Sequence, residues 1–124
     1  YKGRPNGRQR AWAQQWVKAG AAAIIGNHPH VLQTVEWMTK PSGDQAVVVY
    51  SLGNFVAAQG AFEKRLSAIA HLDFGVTSRG LVVEQFSYTP TIRPRGSIAH
   101  FRADSDKEAR AAAERQLGPV RCAN

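Results

Sequence analysis

Two histidines flanking a proline, His28-Pro29-His30, are the residues of this sequence best suited to chemistry. Imidazole nitrogens bind zinc and similar ions, so this pair could serve one metal or bridge two. A proline disfavours the helical conformation of the residue before it, so we predict that His28 is extended and that both rings turn to one face. The alternative is a loop pair held by backbone hydrogen bonds. No acid precedes Glu36, and a metal site needs three or four protein ligands, so others must come from elsewhere.

The residues before the histidine pair predict a strand that ends at this loop. The apolar residues 22–25 are typical of a buried strand, and Gly26-Asn27 starts the loop that leaves it. Ligand sites of open α/β sheets lie at such strand ends. The histidine loop is therefore predicted at a position that suits a ligand site.

The composition is that of a small globular domain. The chain has 124 residues, of which 44% are hydrophobic and 20% charged. No run approaches the roughly 18 apolar residues of a membrane span. The lone Cys122 cannot form an internal disulfide, which leaves the redox compartment open. The chain opens at Tyr1 on a polar, basic stretch, and we interpret residues 1–124 as a single incomplete domain, cut from a longer one.

The net charge of +7 is concentrated towards the start of the chain. The basic residues that precede the first acid are Lys2, Arg4, Arg8, Arg10 and Lys18. Such a balance favours polyanionic partners, among them nucleic acid, phosphate esters and acidic polymers. The alternative is a solvated basic face without a dedicated partner.

Residues 8–19 are predicted to form an amphipathic helix. Asn6 and Gln9 match a capping box, and Gly20 is a stop signal. Its apolar stripe consists of Trp12, Ala13, Trp16 and Val17. The tryptophans could stack on a base or a sugar, but we interpret the whole stripe as facing the core.

A hairpin and a second candidate loop follow. Residues 32–38 and 46–50 are predicted to pair, and the β-branched run in the second is typical of a strand buried on both faces. Residues 51–55, Ser-Leu-Gly-Asn-Phe, come directly off that strand and could present Ser51 and Asn54 to a ligand. A plain turn whose apolar side chains plug the core is the alternative.

The second half of the chain predicts a hairpin, a connection and a helix. Residues 67–74 and 81–88 should be strands joined by a loop at 75–80. His71 falls in the first strand, where we interpret it as a packed or half-exposed residue and not a ligand, and His100 stands in an unrelated context.

Residues 89–97 contain Pro90 and Pro94, which predicts an extended surface connection. We expect the two arginines of this connection, Arg93 and Arg95, to be solvated. Residues 104–117 should form a terminal helix. Its capping-box residues are Ser105 and Glu108.

Three segments together resemble the CapA family of capsule and poly-γ-glutamate biosynthesis proteins. They are residues 19–21 (AGA), residues 24–36 (IIGNHPHVLQTVE) and residues 50–56 (YSLGNFV). The motifs are long and occur in the family's order. The resemblance covers residues 1 to about 88.

That family is similar to the calcineurin-like metallophosphoesterases, and this implies an α/β fold. The resemblance implies a partial four-layer αββα sandwich with a mixed sheet and C-terminal β-hairpins. The superfamily's last metal motif is a glycine followed by His-X-His, which His28 and His30 match, one expected on each ion of a divalent pair of Mn, Fe, Zn or Mg. Asn27 stands where CapA proteins often have histidine. Asn27, Ser51 and Asn54 are the substrate-binding candidates.

The resemblance leaves two functions open. The intact protein could be a metallophosphoesterase-like hydrolase, although the family's early aspartate motif, its middle asparagine-histidine motif and the His-Trp-Gly segment that comes just before this region do not occur in this sequence. It could instead be a non-catalytic envelope protein that binds an anionic polymer. The expected partners are that polymer or a phosphate ester, and membrane proteins of capsule synthesis. Nucleic-acid binding is not expected because no recognisable motif for it occurs.

Overall fold

The computed structural model describes residues 2–97, 101–103, 106–119 and 121–122, so His100 and Ser105 lie outside the described residues. Two sheets are flanked by helices, which confirms an α/β fold. None of the helices within these residues is long and apolar enough to cross a membrane. The elements in chain order are α1 Gly7–Lys18, β1 Ala23–Ile25, β2 Val35–Thr39, β3 Gln45–Val49, α2 Phe62–Arg65, β4 Leu66–Thr77, β5 Gly80–Ile92, β6 Phe101–Arg102, α3 Lys107–Leu117 and β7 Arg121–Cys122.

The first sheet has the strand order β1-β3-β2. Strand β1 runs parallel to β3, and β2 pairs with β3 in antiparallel register, so the predicted strand and hairpin are both present. The prediction that the first strand is buried is wrong, because β1 lies at the edge of this sheet, with Ala23 and Ile24 only partly buried and Ile25 exposed. Four of the five residues of β3 are buried, which agrees with its β-branched composition. This sheet carries the histidine loop at the carboxyl end of β1.

Helix α1 packs on the first sheet through its small side chains. The predicted capping box is present, with the Asn6 side chain accepting from the Gln9 backbone N–H at 2.9 Å. Ala13 and Val17 are buried in one cluster with β3 residues. The prediction that the tryptophans face the core is wrong, because Trp12 and Trp16 are 51% and 53% exposed. A three-stranded sheet covers one narrow stripe of the helix, and the small residues occupy it.

The second sheet has the strand order β4-β5-β6, with β7 also pairing with β5. The predicted hairpin is confirmed, but its strands are longer than expected. Strand β4 continues to Thr77 and β5 starts at Gly80, so the loop predicted at 75–80 shrinks to a tight turn. Strand β5 also continues through Pro90, which pairs with Ala68, so the start of the predicted connection at 89–97 is strand. Pairing along β4 overrides the local proline signal.

Arg93 contradicts the prediction that it is solvated. Its side chain is only 4% exposed, and its guanidinium donates to the backbone carbonyls of Gln59, Pro94 and Ser97. Carbonyl groups that accept from the terminal nitrogens of the guanidinium permit its burial, although the buried Arg93 Nε has no hydrogen-bond partner within the described residues. Arg95 is exposed, as predicted.

Apolar side chains and one ion pair join the two sheets. Val47 and Val49 of β3 share a core cluster with Val83 and Phe86 of β5. At the far ends of the two hairpins, Arg79 Nε and Nη2 donate to the Asp44 carboxylate at 3.1 and 2.6 Å. The Arg79 hydrogen bonds lower the pKa of Asp44 to about 2, so the carboxylate stays charged at neutral pH.

The terminal helix predicted over 104–117 is present as α3, which packs against the second sheet but begins at Lys107, with Asp106 and not the predicted Ser105 at its N-cap. Its N-cap is Asp106, whose side chain accepts from the Ala109 backbone N–H at 2.9 Å. Gly118 ends the helix with a φ of 79°, a conformation that glycine adopts without a steric penalty.

Candidate functional site

Glycine lets the end of β1 lie against the strand beside it. The Gly26 backbone N–H donates to the Val49 carbonyl at 2.7 Å, which continues the parallel pairing by one residue. A Cβ at Gly26 would overlap the backbone carbonyl oxygen of Tyr50. The loop that carries His28 and His30 therefore leaves the sheet from a point where only glycine fits.

The backbone of the histidine loop differs from the predicted extended conformation. His28 and His30 have φ angles of 98° and 61°, in the region that favours glycine. A following proline disfavours right-handed helix, which does not force an extended strand, and the Asn27 side chain accepts from the His28 backbone N–H at 2.8 Å. The rings nevertheless come together, with centroids 6.0 Å apart and planes at 47°. Such backbone strain is common at functional sites.

His30 is oriented by Asn54 from the second candidate loop. The two side chains meet with His30 Nδ1 2.6 Å from Asn54 Oδ1. Asn54 Nδ2 lies 3.2 Å from the carbonyl oxygen of Lys64, which can only accept, so the amide orientation is determined. The oxygen that faces His30 must then accept, and Nδ1 carries the proton. A neutral His30 is then protonated on Nδ1, the tautomer that second-shell partners impose on histidines that bind metal through Nε2.

The second loop is itself tightly held. Gly53 has a φ of 76°, and a Cβ there would lie 2.5 Å from the Leu66 carbonyl oxygen. Ser67 Oγ donates to the Leu52 carbonyl at 2.6 Å. Asn54 is 6% exposed, and the contacts of its own loop hold it in place independently of His30.

The other two substrate-binding candidates lie in different surroundings. Asn27 is exposed beside the histidines. Ser51 is fully buried, and its hydroxyl accepts from the Gly53 backbone N–H at 3.2 Å. The structure thus joins Asn27 and Asn54 to the histidine pair, whereas the Ser51 side chain shapes the turn beneath them. Their roles with a substrate stay predictions.

The histidine loop separates two cavities, and Asn27 lines both. On the His30 side is a cavity of about 910 Å³ with Asn54 and several apolar side chains in its wall. On the His28 side is a groove of about 560 Å³, whose lining is basic and aromatic. The two faces of the loop therefore offer different chemistry to a ligand.

Gln33 organises the groove, and the sequence reasoning did not single it out. It is 2% exposed, its Oε1 accepts from Gln9 at 3.0 Å, and its Nε2 donates to the carbonyls of Lys2 and Arg4 at 2.8 and 3.2 Å. An amide at a buried position next to Val31 and Leu32 was the available signal, because buried polar groups are almost always hydrogen-bonded.

The donors present fit part of a metal site. Within the described residues, no group of three or more His, Cys, Asp or Glu side chains could hold a metal ion. The pair supplies two neighbouring imidazoles, one of them oriented by Asn54. His71, predicted to be packed or half-exposed, lies on β4 as expected but is exposed, with Nε2 2.8 Å from Thr89 Oγ1.

The strained backbone gives a stability prediction. We expect His28→Gly to be more stable than His28→Ala by about 1 kcal/mol, because only glycine adopts a φ of 98° without a steric penalty. The free energy of unfolding in urea measures the difference. His71 lies in a strand, so there the His71→Gly protein should be less stable than the His71→Ala protein. Equal free energies of unfolding for the two His28 variants would show that the backbone at this position is not strained.

Comparison with known proteins gives a consistent set of relatives. The sequence profile described as "Bacterial capsule synthesis protein PGA_cap" matches residues 1–59. The chain is 38% identical over 110 residues to "PGA biosynthesis protein CapA" of Bacillus subtilis (strain 168), which covers 87% of this chain and 26% of the relative. It is 44% identical over 69 residues to "Capsule biosynthesis protein CapA" of Bacillus anthracis, and this match covers 56% of this chain and 16% of the relative. The chain thus spans about a quarter or less of these relatives. No solved structure matches it.

Proposed function

Because the chain belongs to the CapA family of bacterial capsule synthesis proteins, we propose that it acts in the biosynthesis or export of poly-γ-glutamate, an anionic capsule polymer. The relatives' names support the process. The excess of positive charge suits a polyanionic partner. We place this activity in the cell envelope, next to the membrane proteins that make the polymer.

We further propose that His28 and His30 bind divalent metal as part of a metallophosphoesterase-like site on the proposed four-layer sandwich. The observation that carries this is the His30 to Asn54 hydrogen bond of 2.6 Å, which sets the tautomer that metal ligation needs. The closeness of the two rings and the strained backbone at both histidines also support it.

The residues of this chain would divide the work at such a site. His28 and His30 would hold metal, Asn54 would keep His30 aligned, and the exposed Asn27 would contact the substrate. A bound pair of Mn, Fe, Zn or Mg ions would supply activated water and neutralise charge on a phosphate ester. Further ligands must join the two histidines, since a zinc ion takes three or four protein ligands and a two-metal site takes more.

A second candidate function is non-catalytic binding of the polymer. The basic groove on the His28 side favours it, because binding along that groove needs no metal. The two functions differ in one respect that can be measured: only the first requires both histidines.

Transfer of the segment into a relative tests the proposed process. In a B. subtilis host that makes poly-γ-glutamate, the matched segment of its CapA protein is replaced by this chain. We expect the chimera to restore polymer production to a strain without that protein, measured as polymer released per cell mass. A version with the segment deleted is the control. A chimera that accumulates normally yet makes no more polymer than the control would contradict the proposal.

A further inference from the structure

We propose that the groove on the His28 side of the loop is a binding site for a linear polycarboxylate. Lys2, Arg4 and Arg8 pair with its carboxylates, and Trp12 contacts the methylene groups between them. The inference rests on the proposed function for the identity of the polymer, and it adds the residues that hold it.

The charge of the groove is the first argument. Three cationic side chains line it together with His28 and Trp12, and the lining, as far as the chain is described, contains no aspartate or glutamate. Arg10, the other arginine of this stretch, pairs with Glu36 at 2.8 Å. In the described part of the chain, no ion pair engages the three groove cations. Their charge is therefore available to an anion.

The groove is built from anchored backbone, which is the second argument. Gln33 donates to the carbonyls of Lys2 and Arg4 from one side. Gln116 of α3 donates to the carbonyl of Gly3 from another. Because three consecutive carbonyls are held, the basic side chains project from a fixed rim. A preorganised rim lowers the entropic cost of binding.

Trp12 identifies the kind of polyanion. Its ring is half exposed in the groove, with the Arg8 guanidinium 5.8 Å from the ring centroid. An indole offers a flat apolar face, whereas arginine and lysine offer charge. A polymer that alternates carboxylates with methylene groups uses both surfaces. A polyphosphate has no apolar part and would leave the indole without a partner.

The position of the groove connects binding to the histidine loop. His28 and Asn27 form part of its wall, and Asn27 also lines the cavity that contains His30 and Asn54. A polymer in the groove therefore passes along the loop that carries the proposed metal ligands. The groove would hold the chain while the loop acts on a group next to it.

Binding of labelled poly-γ-glutamate to the 124-residue chain tests this inference. The Lys2→Gln, Arg4→Gln, Arg8→Gln triple variant should weaken binding by roughly tenfold or more in fluorescence anisotropy at low salt, as expected for three lost surface ion pairs. The matched control is Lys18→Gln, Arg95→Gln, Lys107→Gln, which removes the same charge from exposed positions elsewhere. It should change the Kd by less than about twofold. If the two triple variants lost the same affinity for poly-γ-glutamate, the groove would not be the binding site.

Trp12→Ala separates polycarboxylate from polyphosphate. It should weaken binding of poly-γ-glutamate and leave binding of inorganic polyphosphate of equal charge unchanged. Circular dichroism and thermal melting confirm that each variant is folded. Tighter binding of polyphosphate, or equal effects of Trp12→Ala on both polymers, would overturn the polycarboxylate assignment. Polymer binding in vitro by a chimera that fails to restore production would leave the groove standing and contradict the proposed function alone.

Discussion

Gly26→Ala is expected to destabilise the protein by about 3 kcal/mol, the upper end of the usual cost of overpacking. The new methyl group would overlap the Tyr50 carbonyl oxygen, which is backbone and cannot rotate away. Relief requires β1 and β3 to separate, and this breaks the hydrogen bond from Gly26 to Val49. Since small domains are stable by only about 5 to 15 kcal/mol, the free energy of unfolding in urea should fall markedly.

Gly7→Ala is the matched control for this substitution. Gly7 is the first residue of α1, and nothing lies within 4 Å of the position of an added Cβ. Alanine favours helix over glycine, so this variant should be unchanged or slightly more stable. A Gly26→Ala protein as stable as Gly7→Ala would mean that the loop does not leave the sheet as described.

Replacing both His28 and His30 by alanine should have the largest functional effect. In the B. subtilis chimera we expect polymer production to fall at least about tenfold, because even the loss of a partner that only orients a ligand costs 10-fold to 100-fold. Asn54→Ala should give a smaller loss, since the imidazoles remain while His30 loses its orientation. Polymer released per cell mass is the readout.

His71→Ala is the control for the histidine substitutions. It removes an exposed imidazole from strand β4, where His71 Nε2 lies 2.8 Å from Thr89 Oγ1, and should leave production near that of the unsubstituted chimera. Immunoblotting shows whether the variants accumulate equally. If the double variant makes as much polymer as the His71→Ala protein, non-catalytic polymer binding becomes the better account.

The elements that the sequence predicts well are those with local signals. The Asn6 to Gln9 capping box and the β-branched run in β3 depend on residues close in sequence, and both are present in the structure. The predictions fail where distant segments decide. The Arg93 guanidinium donates not only to the nearby carbonyls of residues 94 and 97 but also to the Gln59 carbonyl, 34 residues away, and no local pattern indicates this distant contact.

Helix α1 illustrates a different limit. Its periodicity predicts which residues share a face, but it does not indicate how wide the covering sheet is. Ala13 and Val17 are buried, while Trp12 and Trp16, one position back in each turn, are not. Ala13 and Val17 thus supply the core contact, while Trp12 lines the groove.

At the candidate site, the motif identified the two histidines but not their geometry. Their positive φ angles belong to the folded loop, and the residue types of the motif do not indicate them. Asn54 was a candidate from its loop, yet its contact with His30 depends on how the two loops pack. The role of Gln33 depends on the path of residues 2–4, which sequence alone does not fix.

Metal content of the purified chimera tests the central claim most directly. After dialysis against metal-free buffer, inductively coupled plasma mass spectrometry gives the amount of Mn, Fe, Zn and Mg per protein. We expect stoichiometric metal in the unsubstituted and His71→Ala chimeras and less than half as much in the protein with both His28 and His30 replaced by alanine. Equal metal in all three, or none in any of them, would contradict metal binding at the His28-Pro29-His30 loop.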